Sequence, residues 1–200
     1  LGTLGGTSSF ANDLDADGST VVGNSFIPAG VLHAFRWMSP GGLLDLGTLG
    51  GNESRAEAIS ADGTTIAGFS GTMSGQLRAF RWTESNGMTD LGTLGGTNSF
   101  AYEINTNGTT VVGLSQSEDD ETYIAFRWNE LEGMQGLGTL GGTNSESTCV
   151  SADGTVIAGA SDMTGDSGIH AFRWTSAGGL QDLGSLGGFL SYATSISADG

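Results

Sequence analysis

Basic residues are scarce in this chain of 200 residues. Lys and Arg together number 6 against 22 Asp and Glu, all six are arginines, and the formal net charge is −16. A surface of this charge repels the phosphate backbone of nucleic acids and anionic membranes, so we exclude nucleic acid as a partner. The acidity favours solubility, and it is also compatible with affinity for divalent cations.

Cysteines, long apolar runs and catalytic motifs are also lacking. Cys149 is the single cysteine, so no disulfide can form within these residues, and cysteine usage says nothing about the compartment. No apolar run approaches the ~20 residues that span a bilayer, so we expect no membrane insertion. Because neither a nucleophile–base pair nor a phosphate-binding loop is present, we predict that the chain is not an enzyme.

The dominant feature of the sequence is a repeat. The segment Leu-Gly-Thr-Leu-Gly-Gly begins at Leu1 and returns four times, and the fifth copy differs only in Ser185. A fixed period of about 45 residues is the mark of a repeat architecture. The predicted units are residues 1–45, 46–90, 91–136 and 137–182, with a partial fifth unit at 183–200. Because the chain begins without methionine and stops within a unit, we interpret it as part of a longer array.

Each unit contains four strand-like segments. In unit 2 they are residues 54–60, 64–68, 78–82 and 88–94, which are rich in apolar, β-branched and aromatic residues and show no helical periodicity. Asp62-Gly63 and Asn86-Gly87 lie between strands. Such pairs predict hairpins, because both central residues of a type I′ turn need positive φ. We therefore predict an all-β fold of four-stranded antiparallel units.

Segment lengths separate packed from exposed parts of the unit. Only the connection between the second and third strands varies in length, and a segment that absorbs insertions is exposed. These connections are residues 24–32, 69–77, 114–123 and 160–169. They carry acidic side chains at Glu118, Asp119, Asp120, Glu121, Asp162 and Asp166. We predict that these loops form the contact surface for any partner.

Four short antiparallel strands in roughly 45 residues match a β-propeller blade. A β-solenoid is the alternative, although its parallel coils need no hairpin in every unit. The Gly-rich repeated segment suits a crowded position where backbones approach closely. Residues 183–200 overshoot a four-bladed ring, so they either begin a fifth blade or pair with another copy, which would build a homopolymer.

The third strand resembles a known family. Residues 33–37 and 170–174, both His-Ala-Phe-Arg-Trp, resemble the HAF repeat, with an Asp-Gly turn upstream and Asp-Leu-Gly-Thr-Leu-Gly-Gly downstream. Two units depart from it, with Arg78 and Ile124 in place of histidine. The family is described as extracellular repeats without an assigned activity. The resemblance therefore implies a secreted or cell-surface location and nothing about chemistry.

One turn has the pattern of a metal-binding loop. Residues 13–18 read Asp-Leu-Asp-Ala-Asp-Gly, the sequence that opens a calcium loop, so Asp13, Asp15 and Asp17 are candidate calcium ligands. Asn24 stands where an EF-hand has glutamate, which excludes that motif. The alternative interpretation is a hairpin turn with additional surface acids.

The Phe-Arg-Trp triplet recurs in all four complete units at a fixed distance from the next unit. This regularity favours a core between units over a ring of exposed aromatic contacts. The arginine at its centre then needs a partner. The aspartate of the following Asp-Leu-Gly is the expected partner in three units, and the aspartate of the Asp-Gly turn is the alternative.

These features favour a non-enzymatic extracellular structural or interaction repeat that contributes to a cell-surface layer, fibre or adhesive. The alternative is a glycan- or calcium-dependent binding module that uses the acidic loops. A third alternative is the scaffold of an enzyme whose catalytic residues lie elsewhere. The expected partners are a protein, either a second copy or a surface protein, or a glycan, and calcium is the one cofactor considered.

Overall fold

The computed structural model describes residues 1–200, apart from the side chain of Asp166. In this described part of the chain, four sheets of four strands are formed, one from each complete repeat unit. Within each sheet, strands that are consecutive in sequence are antiparallel neighbours. The predicted all-β, antiparallel fold is confirmed, and the parallel coils of a β-solenoid are excluded.

The strands follow the repeat closely. Unit 1 contains β1 (Ser9–Leu14), β2 (Thr20–Phe26), β3 (Leu32–Met38) and β4 (Gly42–Asp45). Unit 2 contains β5 (Gly50–Ile59), β6 (Thr65–Thr72), β7 (Leu77–Thr83) and β8 (Gly87–Asp90). Unit 3 contains β9 (Gly95–Ile104), β10 (Val111–Ser117), β11 (Tyr123–Asn129) and β12 (Gly133–Gly138). Unit 4 contains β13 (Gly141–Val150), β14 (Val156–Met163), a 3-10 turn (Thr164–Asp166), β15 (Ile169–Thr175) and β16 (Gly179–Asp182).

The Asp-Gly turns form hairpins, but not of the predicted type. Gly63 has φ of +72°, whereas Asp120 is the one non-glycine residue with positive φ among those described. The Gly63 N–H donates to the Ser60 carbonyl at 2.9 Å, and the Ser60 N–H donates to the Thr65 carbonyl at 2.9 Å. The type I′ prediction is wrong, because the loop between Ser60 and Thr65 is longer and only the glycine needs the left-handed region.

The second glycine of the repeated Gly-Gly pair lies in a crowded position in the four complete units, as predicted. A Cβ added to Gly51 would lie 2.5 Å from the carbonyl carbon of Gly71 on the neighbouring strand β6. Any side chain there would push the two strands apart. The Gly-rich segment thus connects the last strand of one unit to the first strand of the next, and allows that first strand to pair closely.

The core lies between successive units, as the Phe-Arg-Trp pattern predicts. Phe80 is fully buried, and Trp82 is 6 % exposed. Both belong to a cluster that also contains Val22 and Ala34 of unit 1. The corresponding phenylalanines are fully buried in the other units as well, at Phe35, Phe126 and Phe172. Each sheet therefore buries its apolar face against its neighbour.

The arginines of the triplet do not pair with the predicted aspartates. Arg36 places Nη2 3.4 Å from the carboxylate of Glu84 in the next unit. Arg127 donates to Glu132 at 2.7 Å within its own unit. The predicted pairing is wrong because the aspartate of Asp-Leu-Gly makes its hydrogen bonds at the connection between units instead.

That aspartate organises the connection between units. The Gly47 N–H donates to Asp45 Oδ1 at 2.8 Å, and the His33 ring nitrogen Nδ1 lies 2.9 Å from Asp45 Oδ2. Unit 4 repeats this arrangement with His170 and Asp182. The pKa of Asp182 is lowered, mainly by the Gly184 N–H. The histidine of the His-Ala-Phe signature therefore stabilises an inter-unit turn.

A serine eight residues after the leucine that opens the second, third, fourth and partial fifth units connects successive units. Ser99 accepts the N–H of Ala79 in the preceding unit at 2.9 Å and donates to the Gly92 carbonyl at 2.6 Å. Within the described chain, the same two hydrogen bonds are made by Ser54, Ser145 and Ser191. We call these four residues the clasp serines.

Substitution of a clasp serine should weaken the contact between units. Ser99→Ala leaves the buried N–H of Ala79 without its acceptor, and we expect a loss of about 1–2 kcal/mol in the free energy of unfolding. Ser9→Ala is the matched control, because Ser9 occupies the same position in unit 1 and donates only to Gly2. Urea denaturation followed by tryptophan fluorescence measures both. Equal losses in the two variants would contradict this role.

Residues 183–200 lie along unit 4 as a first strand lies along the unit before it. The Ser191 N–H donates to the Ile169 carbonyl at 2.8 Å, and the Ala152 N–H donates to the Ala198 carbonyl at 3.0 Å. Pairing of this segment with another copy stays a prediction. In the described residues, no helix is long and apolar enough to cross a membrane.

Candidate functional site

The meander of each sheet produces two different faces. Connections between first and second strands and between third and fourth strands lie at one end of the sheets, which we call the turn face. Connections between second and third strands and between units lie at the other end, the loop face. The predicted contact loops are shorter than expected, because the second strands extend into them as far as Phe26, Thr72, Ser117 and Met163.

The acidic loop of unit 3 is exposed on the loop face, but two of its four acids have structural roles. Asp119 Oδ1 accepts the Ser117 hydroxyl at 2.8 Å and the Glu121 N–H at 3.0 Å. The hydrogen bond from Ser117, followed by those from the Thr122 and Glu121 N–H groups, lowers the pKa of Asp119 to about 2. Asp120 accepts the Thr97 N–H at 2.6 Å. Asp119 and Asp120 therefore fix the loop.

The other two acids are available for contacts. Glu118 and Glu121 are exposed, and no hydrogen bond reaches either carboxylate among the described residues. Asp162 lies on strand β14 and accepts the backbone N–H and side-chain amide of Asn144 at 2.9 and 3.0 Å. The predicted contact residue Asp166 lies outside the described side chains.

A groove on the loop face brings two of the predicted residues together. It lies between units 3 and 4, has a volume of about 480 Å³, and contains Glu121 and Asp162 in its wall. Its other lining side chains include Leu114, Tyr123, Asn144, Glu146, Ile169 and Tyr192. We call this cavity the loop-face groove. Three carboxylates and two tyrosines therefore surround one concave surface.

Tyr123, Glu146 and Tyr192 were not among the predicted site residues. Glu146 and Tyr192 occupy the same position of their units, which elsewhere holds Phe10, Arg55 and Phe100. This position changes in character from unit to unit, whereas the serine before it is constant in all five copies. Variability next to an invariant residue is the sequence signal that would have indicated a surface-exposed, unit-specific position.

The three candidate calcium ligands each have a protein partner. Asp13 Oδ2 accepts the N–H of Ile59 in unit 2 at 2.9 Å. Asp15 is 4 % exposed and accepts the Thr20 N–H at 3.0 Å. Asp17 accepts the Ser19 N–H at 2.8 Å. Among the described residues, no group of three or more His, Cys, Asp and Glu side chains is placed to hold a metal ion.

Asp15 is a structural residue of its hairpin. Burial acts to raise the pKa of Asp15, but hydrogen bonds from Thr20 and Ser19 outweigh it and the pKa is lowered. At the same position, Ser60, Asn105 and Ser151 accept the equivalent backbone N–H in their own units. The geometry therefore gives the calcium prediction no support, and calcium has no place in the function that we propose.

Ionisable groups on the first strands are shifted by burial. Burial, opposed by the nearby Arg55, raises the pKa of Glu57. Burial also raises the pKa of Glu103 to about 7 and that of Tyr102 to about 12. The buried thiol of Cys149 has a raised pKa for the same main reason. A thiol with a raised pKa is a poor nucleophile.

Comparisons with known proteins show likeness in structure. No family model and no curated protein sequence matches the chain. TolB from Acinetobacter baumannii superposes with a TM-score of 0.60 at 16 % identity, covering 90 % of this chain and 44 % of that one. A structure assigned as TolB from Agrobacterium tumefaciens gives 0.63 at 13 % identity, covering 86 % of this chain and 63 % of that one.

A nidogen–laminin complex gives a TM-score of 0.57 at 14 % identity, covering 92 % of this chain and 66 % of the matched chain. The chain thus spans less than two thirds of the length of these structures. All three are β-propeller proteins, and at such low identities the likeness concerns the fold alone. The four antiparallel sheets are therefore blades with the arrangement of a β-propeller.

Proposed function

We propose that this chain is a non-enzymatic binding propeller whose partner is a protein, held through a basic segment in the loop-face groove. The observation that carries the proposal is the groove itself, where Glu121, Glu146 and Asp162 share one concave wall with two tyrosines. Two of these acids lie in the segments whose length varies between units. Variation of this kind is typical of recognition surfaces on a rigid scaffold.

The charge and shape of the groove match a peptide segment rich in Lys or Arg with aromatic neighbours. Among its described lining residues there is no Lys or Arg. Tyr123 and Tyr192 offer flat amphipathic surfaces, and tyrosine is enriched at protein interfaces. The net charge of −16 would accelerate encounter with a basic partner.

Location outside the cell is part of the same proposal. Its support is the resemblance of residues 33–37 and 170–174 to HAF repeats, which are described as extracellular. A binding module of a surface layer or adhesive would bind its partner through the loop-face groove. The absence of catalytic motifs from the sequence favours binding over catalysis.

Association between copies is a second candidate, which one observation favours. Residues 183–192 expose several large apolar side chains, with Leu186, Phe189 and Leu190 among them, and Phe189 is 78 % exposed. Exposed apolar clusters mark contact sites. Sedimentation equilibrium of the wild type and Phe189→Ser tests this candidate. A wild type that remains monomeric at all concentrations would remove it.

The groove is tested with basic peptides and a charge reversal. An array of Lys- and Arg-rich peptides first selects a ligand, and calorimetry then measures its affinity for the wild type and Glu121→Lys. We expect the variant to bind at least tenfold more weakly, because a like charge now faces the peptide. The fold should be unaffected, since the Glu121 carboxylate makes no hydrogen bond in the described structure.

Glu130→Lys is the matched control. Glu130 is also exposed but lies on the turn face, so the substitution makes the same change in net charge away from the groove. Unchanged affinity in this control supports a local site. An equal loss in both variants, or an array without any bound peptide, would refute the proposal.

A further inference from the structure

A second cavity lies on the opposite face of the molecule. It is formed between units 1 and 2, has a volume of about 830 Å³, and is bounded by the hairpin turns of both units and the ends of their third strands. We call it the turn-face cleft. The equivalent cavity between units 2 and 3 has a volume of only about 230 Å³.

The arginine of the Phe-Arg-Trp triplet explains the difference. In unit 2, Arg81 Nε donates to the Gly108 carbonyl at 3.2 Å, and Nη2 lies 3.4 Å from Thr65 Oγ1. Arg81 thus bridges the turns of units 2 and 3 and narrows the space between them. Arg36, at the same position in unit 1, lies over the Trp82 ring at 5.1 Å instead.

Arg36 is left with little hydrogen bonding. It is 6 % exposed and lines the cleft, and its one hydrogen bond among the described residues is the 3.4 Å contact with Glu84. Its Nε is buried without any partner. Buried guanidinium groups normally have their donors satisfied. Nε itself is shielded from the cleft, so the Nη groups, with one long hydrogen bond among the described residues, are the donors that Arg36 offers to a ligand there.

The remaining lining defines the chemistry of that ligand. Four carboxylates face two guanidinium groups, so the lining carries a formal charge of −2 and disfavours an anion. Among the described residues, no group of acidic side chains is placed to hold a metal ion, so the cleft is not a metal site. All hydrogen bonds to Asp62 in the described structure reach Oδ1, which leaves Oδ2 as a free acceptor. Hydroxyls of Ser19, Thr64 and Ser85 and the partly exposed Met38 complete the surface.

We propose that the turn-face cleft binds a neutral saccharide. Hydroxyl groups of a sugar accept from the guanidinium of Arg36 and donate to Asp62, and Met38 provides an apolar surface for the C–H face of a ring. Neighbouring hydroxyls of a sugar each donate and accept hydrogen bonds and carry no charge. They therefore match a cleft that presents donors and acceptors side by side. This site is independent of the loop-face groove and of its protein partner.

The test compares two aspartates in identical turns. Asp62 and Asp153 each accept a serine hydroxyl and a threonine N–H within their hairpins, and asparagine occupies this position naturally at Asn107. Calorimetry with neutral trisaccharides of glucose, galactose, mannose and N-acetylglucosamine identifies the bound sugar. Asp62→Asn should weaken its binding about tenfold, because Oδ1 stays in the hairpin and the free acceptor Oδ2 is replaced by an amide nitrogen, which only donates. Asp153→Asn should leave the affinity unchanged.

Arg36→Met provides a second, independent variant. Methionine keeps the apolar volume over Trp82 and removes an incompletely paired buried charge, so the fold should be retained. We expect saccharide binding to be lost while the thermal melting temperature is maintained. Retained binding in Arg36→Met would overturn the proposal, because Arg36 would then have only a packing role.

The choice of probes separates related ligands. Binding to insoluble glucans or chitin, measured by co-sedimentation, shows whether polymeric glycans enter the cleft as well as free oligosaccharides, and either result supports a saccharide site. If only charged oligouronates bind, or no sugar of the panel binds, the assignment of a neutral saccharide is wrong.

Discussion

Replacing Phe126 by alanine is expected to lower the free energy of unfolding by about 3–5 kcal/mol. Phe126 is fully buried, and it packs in the cluster between units 2 and 3 that includes Ala79 and Ile104. The substitution removes most of a large side chain, and the surrounding strands are held by their own ladders and cannot collapse into the cavity. The loss would be a large share of the 5–15 kcal/mol that stabilises a typical domain.

This substitution also reports on coupling between the units. If each blade depends on its neighbours, a loss of stability in one unit destabilises the others. Unfolding in urea, followed by the fluorescence of the four tryptophans, one in each unit, should then shift as a single transition. Phe126→Leu should cost far less, because it conserves much of the volume. Leu131→Ala, at a side chain that is 94 % exposed, should change stability by less than about 0.5 kcal/mol. A second transition confined to one unit would show that the units fold separately.

The periodic sequence shows which residues of the units are equivalent, and this information was sufficient to predict the fold. The fixed spacing of Phe80 and its counterparts identified the buried positions, and the Asp-Gly pairs identified the hairpins. Local patterns of apolar and turn residues specify strands because side chains alternate across a sheet. The end of the fourth strand of unit 2, predicted at Leu94, lies at Asp90, since the Gly-rich segment connects units and does not continue the strand.

Contacts between units were harder to predict, because a repeat does not show which neighbour supplies a partner. The constant serine represented by Ser99 is visible in the sequence, yet its acceptor role depends on Ala79 of the preceding unit. The acidic partner expected for Arg36 was an aspartate of its own unit, whereas the structure places Glu84 of the next unit beside it. Side-chain pairing across an interface follows from how the sheets stack.

The two cavities were hard to predict for the same reason, because both depend on contacts between units. Glu121 and Asp162 were identified from loop length, but their convergence with Tyr192 depends on the stacking of unit 4 on unit 3 and on the path of residues 183–192. The turn-face cleft was not predicted at all. Arg36 and Arg81 share the segment Ala-Phe-Arg-Trp, but their different contacts accompany a wide cleft between units 1 and 2 and a narrow cavity between units 2 and 3.

Glu103, on the first strand of unit 3, makes stability dependent on pH. Burial raises its pKa from 4.5 to about 7, the Ile104 N–H opposes the change, and the charge of Asp13 adds to it. A carboxyl group with a raised pKa in the folded state binds its proton more tightly there than in the unfolded chain. Its contribution is therefore most favourable below pH 4.5, and it becomes unfavourable as the pH rises towards 7.

Glu103→Gln should consequently stabilise the protein at high pH and have little effect at low pH. Glutamine has a similar shape and carries no charge, so at pH 8 the variant avoids the cost of ionising a largely buried carboxyl group, about 2–3 kcal/mol. At pH 4 the glutamate is already protonated in the folded state, and the two proteins should melt at nearly the same temperature. Thermal melts from pH 4 to 8 measure the difference, and Glu118→Gln, at an exposed side chain, should run parallel to the wild type. A gain for Glu103→Gln that is the same at every pH would show that packing, and not the charge of Glu103, limits stability on these strands.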